Sequence, residues 1–202
     1  MEAQIFLMGG NPPIKNHTIV NKIVSSRKIE RIVIFTVFRD NWQPYMKKYT
    51  EVFQSHFSNL NTDYLLLDTE QINFDSYLDA DLIIIGGGNT EKYIATYVNQ
   101  GFKSYINHIL NKGAKIIGFS AGALLLGEKV YVSPNDNLDH QIKIKNGLGL
   151  FGQFLISVHY DSWNDNTNKD RAEKLVDVPI IPLNDHSCLV LDKSGNIIEK
   201  ID

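Results

Sequence analysis

The sequence predicts an α/β protein, a three-layer sandwich with a mostly parallel central sheet, and two observations carry that prediction. Short apolar runs rich in β-branched residues alternate along the chain with longer segments of helical spacing. These runs are apolar throughout rather than at every second position, which is how strands covered on both faces read. Strand followed by helix, several times over, gives parallel strands with helices above and below them.

The first strand is "AQIFLMG" (3–9), and a helix follows over 13–26. "RIVIFTV" (31–37) and "DYLLLD" (63–68) are the next strands, with a helix over 44–58 between them. "DLIIIGG" (81–87) leads into helices over 90–99 and 101–111. The second of these places Phe102, Tyr105, Ile106, Ile109 and Leu110 on one stripe, and Gly113 follows as a C-terminal cap. "AKIIGF" (114–119) is the fifth strand, and 120–127 is the helix after it. Beyond 128 the pattern changes. "QFLISVHY" (153–160) and "SCLVLD" (187–192) read as strands, and "NKDRAEKLVD" (168–177) as a helix. "DKSGNIIEKID" reads as a turn with a terminal edge strand, and the polar stretch 133–147 as a loop. No repeat, low-complexity tract or linker interrupts the chain, so residues 1–202 are expected to form one domain.

Composition narrows the function. A chain of 202 residues can bury one sizeable core. The net charge of −3, with no Lys/Arg stripe interleaved with aromatics, speaks against a nucleic-acid partner. The longest apolar runs fall far short of the ~20 residues that cross a bilayer, so no membrane partner is expected. The start "MEAQIFLMGG" lacks the basic stretch and cleavage site of a secretory signal, and a cytoplasmic location is expected. The single cysteine, Cys188, rules out an internal disulfide and reads as core.

Gly118-Phe119-Ser120-Ala121-Gly122 fits the G-x-S-x-G nucleophile elbow. A serine on a sharp strand-to-helix turn has close neighbours two positions away on either side, and glycine there removes the clashing Cβ atoms. The helix beginning at Ala121 offers free N–H groups and a positive dipole end to a developing oxyanion. Small residues before "LLLG" also suit simple close packing of a helix on a sheet. What favours the elbow is its position after "AKII" and before an apolar helix. Gly86-Gly87-Gly88-Asn89-Thr90 closes the preceding strand. Asn89 or Thr90 can cap the next helix, while the glycine N–H groups supply a second oxyanion donor at the carboxyl end of the sheet.

Ser120 needs a base, and the chain has six histidines. His56 and His108 lie within helical patterns, and His17 sits at a helix start. His159, ending "FLISVHY" and entering a polar loop, is the best placed; His186 in "LNDHSC" competes, and His140 is a third choice. The acids in nearby loops that could fix the imidazole are Asp136, Asp161 and Asp185. "HYDSWND" gathers His159, Asp161 and Asp165 but has no metal-ligand spacing, so no metal is expected.

Taken in order, "IIIGGGNT", "GFSAGA", "SVHYD" and "PLNDHSCLVLD" resemble the peptidase E family of serine peptidases, the aspartyl dipeptidases, which includes the cyanophycinases. The resemblance spans nearly the whole chain. It implies a flavodoxin-like sandwich similar to the class I glutamine amidotransferases, with serine replacing their cysteine. It further implies Ser120 as nucleophile, His159 as base, and the N–H groups of Gly88 and Ala121 as oxyanion donors. The family's third residue is a glutamate, where this chain carries Asp185, one methylene shorter; Asp136 in "SPND" is the alternative acid. The family prefers an N-terminal aspartate in a small peptide substrate, which implies substrate contacts from Asn89 and from Arg171, whose guanidinium could pair with a carboxylate. Neither a cofactor nor a metal is implied. An amidase or esterase on the same scaffold, or a weakly active sensor of a small ligand, are the other readings.

Overall fold

The computed structural model describes residues 2, 4–25, 28–67 and 72–202, so the predicted boundaries at 3, 26 and 68 lie outside the described residues. In chain order the first half contains β1 (Ile5–Met8), α1 (His17–Val24), β2 (Arg31–Val37), α2 (Gln43–Gln54) and β3 (Asn61–Leu67). Then come β4 (Leu82–Ile85), α3 (Thr90–Tyr97), α4 (Gln100–Asn111), β5 (Lys115–Phe119) and the short α5 (Ala121–Leu124). The last third holds β6 (Lys129–Val132), β7 (Lys143–Asn146), β8 (Leu155–Ser157), α6 (Asn166–Ala172), β9 (Ile180–Pro182), β10 (Cys188–Leu191) and β11 (Ile197–Ile201).

Seven strands form the central sheet in the order β11-β10-β1-β5-β4-β2-β3. The pairs from β1 through β3 are parallel, and β10 and β11 add an antiparallel edge beside β1. Both faces of the inner strands are covered, which is why β1 and β4 are apolar and buried at every position. Val33, Phe35 and Val37 of β2 face a core with Tyr93, Tyr97, Phe102 and Ile106 of α3 and α4. Ile32 and Ile34 point the other way, onto Ile19, Met46, Tyr49 and Phe53 of α1 and α2. Phe35 packs edge-on to Tyr97, Phe102 and Tyr105 at centroid separations of 6.1, 5.1 and 5.7 Å. Asparagines start three helices: Asn16, Asn89 and Asn99 each accept a backbone N–H of the first turn. Gly113 follows α4 with φ of 85°, as a C-terminal cap requires.

Three stretches depart from the sequence reading. The loop expected over 133–147 contains β7, which pairs antiparallel with β6 as a separate two-stranded ribbon. Both strands escaped notice because the ribbon lies outside the main sheet and β7 ("KIKN") is half exposed, so it carries no buried apolar run. The strand expected over 153–160 shrinks to β8 and pairs with β9, again outside the main sheet. The helix expected over 168–177 starts earlier and gives way to a 3-10 turn at Glu173–Leu175, where Glu173 turns its carboxylate to the N–H of Ile180 at 3.1 Å.

Strand register gathers the loops that matter. Met8 lies opposite Phe119, and Ile85 opposite Gly118, so β1, β5 and β4 end level with one another. Cys188 opposite Met8 brings the segment before β10 to the same edge.

Candidate active site

Ser120 stands at that edge, between β5 and α5, with φ of 48° and ψ of −112°. Its N–H donates to Met8 O at 3.1 Å, which anchors the turn to β1. The flanking glycines are steric necessities. A Cβ on Gly118 would lie 2.5 Å from Gly122 O, and one on Gly122 would lie 2.2 Å from Ile85 O. As the first residue of α5, Ala121 has an N–H that the helix itself leaves without an acceptor.

The glycine loop after β4 runs beside the serine. A Cβ placed on Gly87 would sit 3.4 Å from Ser120 Cβ. The Gly87 peptide groups are held from two sides: its N–H donates to the Tyr49 hydroxyl at 3.0 Å, and its carbonyl accepts from the Tyr93 hydroxyl at 3.3 Å. Burial pushes both phenols well above their ordinary range, so they remain neutral hydroxyls. With Gly87 tied, Gly88 turns the chain at φ of 153°, an angle open to glycine. Asn89 spends its side-chain oxygen on Lys92 N–H at 2.9 Å, as the cap of α3.

His159 is buried, whereas the remaining histidines are exposed. It follows β8 with φ of 51°, and its N–H donates to Gly9 O at 2.8 Å. The ring spans two partners. Nε2 is 3.0 Å from Ser120 Oγ, and Nδ1 is 2.5 Å from Asp185 Oδ1. In the tautomer that satisfies both, Nδ1–H donates to the carboxylate and Nε2 accepts the serine proton. Trp163 packs its ring 4.6 Å from the imidazole.

Gly9 and Gly10 let the Asp185 segment approach so closely. A Cβ on Gly9 would lie 2.2 Å from Asn184 O, and one on Gly10 would lie 2.4 Å from Asp185 O. The glycine pair after the first strand was the signal for this contact, and sequence reading passed over it.

Asp136, the other candidate acid, sits on a 3-10 turn (Pro134–Asp136). It makes no hydrogen bond to His159. Its Oδ2 and the Thr90 hydroxyl are both shut off from solvent and lie close together without closing a hydrogen bond. Burial pushes the Asp136 carboxyl up to about 6, against the opposing pull of Thr90 and of nearby His159. Arg171 is exposed on α6 and lines a cleft with Pro134 and His140, on the flank of the same turn; it forms no ion pair among the described residues. Asp161 is exposed. Cys188 is buried in β10, and burial pushes its thiol up, so it is an inert core residue.

Asp165 is a residue whose importance the sequence concealed. Fully buried, it accepts hydrogen bonds from Tyr131 Oη (2.9 Å), Ser133 Oγ (2.5 Å), Ser157 Oγ (2.8 Å) and Asn168 Nδ2 (3.2 Å). It thereby fastens the Asp136 turn, the end of β8 and the loop beyond His159 to one point. Its hydroxyl donors come from the end of β6 (Tyr131 and Ser133) and from β8 (Ser157), two segments distant from each other in sequence, so no spacing rule reveals it.

A doubly covered α/β sheet with a serine raised on a strand-to-helix elbow, hydrogen-bonded to a buried histidine, has the layout of a serine hydrolase. Within that class the chain belongs to peptidase family S51, whose sequence signature matches residues 33–198. By sequence it is 24% identical over 131 residues to an uncharacterized peptidase of Pasteurella multocida, which covers 61% of this chain and 62% of that protein. It is also 38% identical over 79 residues to a cobyric acid synthase of Listeria welshimeri, covering 39% of this chain and 15% of that protein. The chain thus spans less than two thirds of either relative. By fold it matches a proposed peptidase E protein of Listeria monocytogenes EGD-e, with a TM-score of 0.70 at 19% identity over 98% of both chains. A peptidase from an acI-B1 Actinobacterium matches with a TM-score of 0.66 at 18% identity, over 94% of this chain and 84% of that one.

Proposed function

We propose that the protein is a serine peptidase that cleaves small peptides, foremost dipeptides with N-terminal aspartate, through an acyl-enzyme. The observation that carries the reading is the unbroken chain Ser120 Oγ to His159 to Asp185, with separations of 3.0 and 2.5 Å. His159 takes the proton from Ser120 as its oxygen attacks the peptide carbonyl. Asp185 holds the ring in the tautomer that can accept that proton, and stabilises the imidazolium once it forms. Negative charge then grows on the carbonyl oxygen, where the N–H groups of Gly88 and Ala121 receive it. His159 returns the proton to the departing amine, and water activated by the same imidazole releases the acyl group. Every step draws on groups of this chain.

The aspartate preference rests on Arg171, whose guanidinium has no ion pair among the described residues and suits a carboxylate, and on the family to which the chain belongs. Asn89 acts through its place at the head of α3, next to the oxyanion loop. The test is hydrolysis of a panel of X-Leu dipeptides by the native protein and by Ser120→Ala. Asp-Leu should be the best substrate, and Ser120→Ala should abolish turnover with unchanged circular dichroism. Turnover surviving in Ser120→Ala would defeat the mechanism; equal rates across the panel, or an Asp preference surviving Arg171→Ala, would defeat the specificity.

A further inference from the structure

Next to His159 lies a cleft of about 470 Å³, within the range of small-ligand sites. One wall is the segment after β1, with Asn11, Pro12, Pro13 and Lys15; the opposite wall is His159 with Trp163. Asn11 connects the cleft to the nucleophile. The Cβ position on Gly87 that is 3.4 Å from Ser120 Cβ is also 3.1 Å from Asn11 Oδ1. That oxygen accepts from the Tyr45 hydroxyl at 3.2 Å, so the Asn11 amide keeps its N–H donors for another partner.

The charges in the cleft are unequal in their commitments. Asp185 lines it too, but its carboxylate is engaged with His159 Nδ1 at 2.5 Å. Lys15 is exposed and has no counter-ion among the described residues. The two prolines and the tryptophan offer apolar surface without polar side-chain groups beyond the indole N–H, so they discriminate little among side chains. Ser162 and His186 complete the lining and offer hydrogen-bonding groups, and Lys15 brings the fixed positive charge, so what the cleft can recognise is an anion.

On the peptidase reading, the imidazole that takes the serine proton gives it to the departing amine, so the departing residue leaves beside His159. We propose that this cleft is the leaving-residue site and that Lys15, aided by the Asn11 amide, holds the free α-carboxylate of that residue. The carboxylate follows the departing nitrogen by one α-carbon only when the residue is the last of the peptide. The site therefore selects for dipeptides and tolerates varied second residues. This inference rests on the proposed peptidase function and adds the group that measures substrate length.

The experiment separates the two. Binding of Asp-Leu and of its C-terminal amide is measured by calorimetry on Ser120→Ala, and again with Lys15→Met or Lys15→Arg added. Ser120→Ala should bind the free acid roughly three- to tenfold tighter than the amide, the scale of a solvent-exposed ion pair. Lys15→Met should erase that difference by weakening the acid alone, and Lys15→Arg should retain it. Equal affinities for acid and amide, a difference that survives Lys15→Met, or binding of neither compound overturns the proposal. Turnover of Asp-Leu by the native protein judges the peptidase reading on its own. Carboxylate-dependent binding without turnover would uphold the cleft and defeat the peptidase.

Discussion

The Tyr49 hydroxyl accepts the N–H of Gly87 at 3.0 Å, from the opposite face of the sheet to α3. A helix of one layer thereby fixes the loop that carries Gly88. Tyr49→Phe leaves that N–H buried without its acceptor, a cost of about 1–3 kcal/mol in unfolding free energy. If Gly88 is an oxyanion donor as proposed, loosening it acts on the transition state more than on bound substrate, so kcat should fall about tenfold or more with KM little altered. Urea denaturation and steady-state kinetics check the two effects; a change confined to KM would contradict the role.

Asp185 and Asp136 make opposite predictions on substitution. Asp185→Asn removes the anion facing imidazolium and should lower kcat by up to about 10⁴-fold, the loss known for a triad aspartate. Asp136→Asn removes a carboxyl that has no bond to His159 and should cost far less. Parallel kcat measurements decide between them, and a larger loss at Asp136 would reassign the acid.

Asp136 should also leave a signature in stability. Its folded-state pKa is raised to about 6 from the ordinary 3.8, chiefly because burial disfavours the charged form. The folded protein therefore binds this proton more tightly than the unfolded chain. That contribution is fully present below about pH 4 and is lost as pH rises through about 6. Asp136→Asn, which cannot ionise, should gain stability relative to the native protein between pH 4 and 7, by up to about 3 kcal/mol. Urea midpoints across that range test it, and parallel curves for the two proteins would refute it.

Asp165→Ala strands the hydroxyls of Tyr131, Ser133 and Ser157, all of them buried. A loss of about 3 kcal/mol in unfolding free energy is expected. Asp165→Asn keeps the volume and should lose less. The same variants should slow turnover, because the Asp136 turn and the His159 loop share this anchor. Full activity in a destabilised Asp165→Ala would confine the residue to stability.

The main sheet was readable because its signal is local. β1, β2, β4 and β5 are runs buried on both faces, and α4 shows its stripe and its glycine cap within a dozen or so residues. The elbow was readable too, since a serine on a tight turn needs glycines at fixed offsets. The β6–β7 ribbon was not, because a half-exposed strand such as β7 has little apolar pattern to show. Tyr49 and Tyr93 escaped for another reason. An aromatic on a helix stripe reads as core, and Tyr49 and Tyr93 are indeed buried there; only their hydroxyls reach Gly87.

By itself the sequence determined the layered α/β architecture and the serine elbow, because hydrophobic period and steric need for glycine act over a few neighbouring residues. It also narrowed the base to a short set of histidines and the acid to a few loop aspartates. Only the tertiary structure shows which of them meet Ser120: His159 stands within hydrogen-bond reach of its hydroxyl and of Asp185. Level strand ends set Gly9, Ser120 and the Gly86–Asn89 loop side by side, and the glycine pair after β1 admitted Asp185 to within 2.5 Å of His159. The reason is physical: hydrogen bonds act over about 3 Å, while these partners stand 26 and 39 residues apart along the chain.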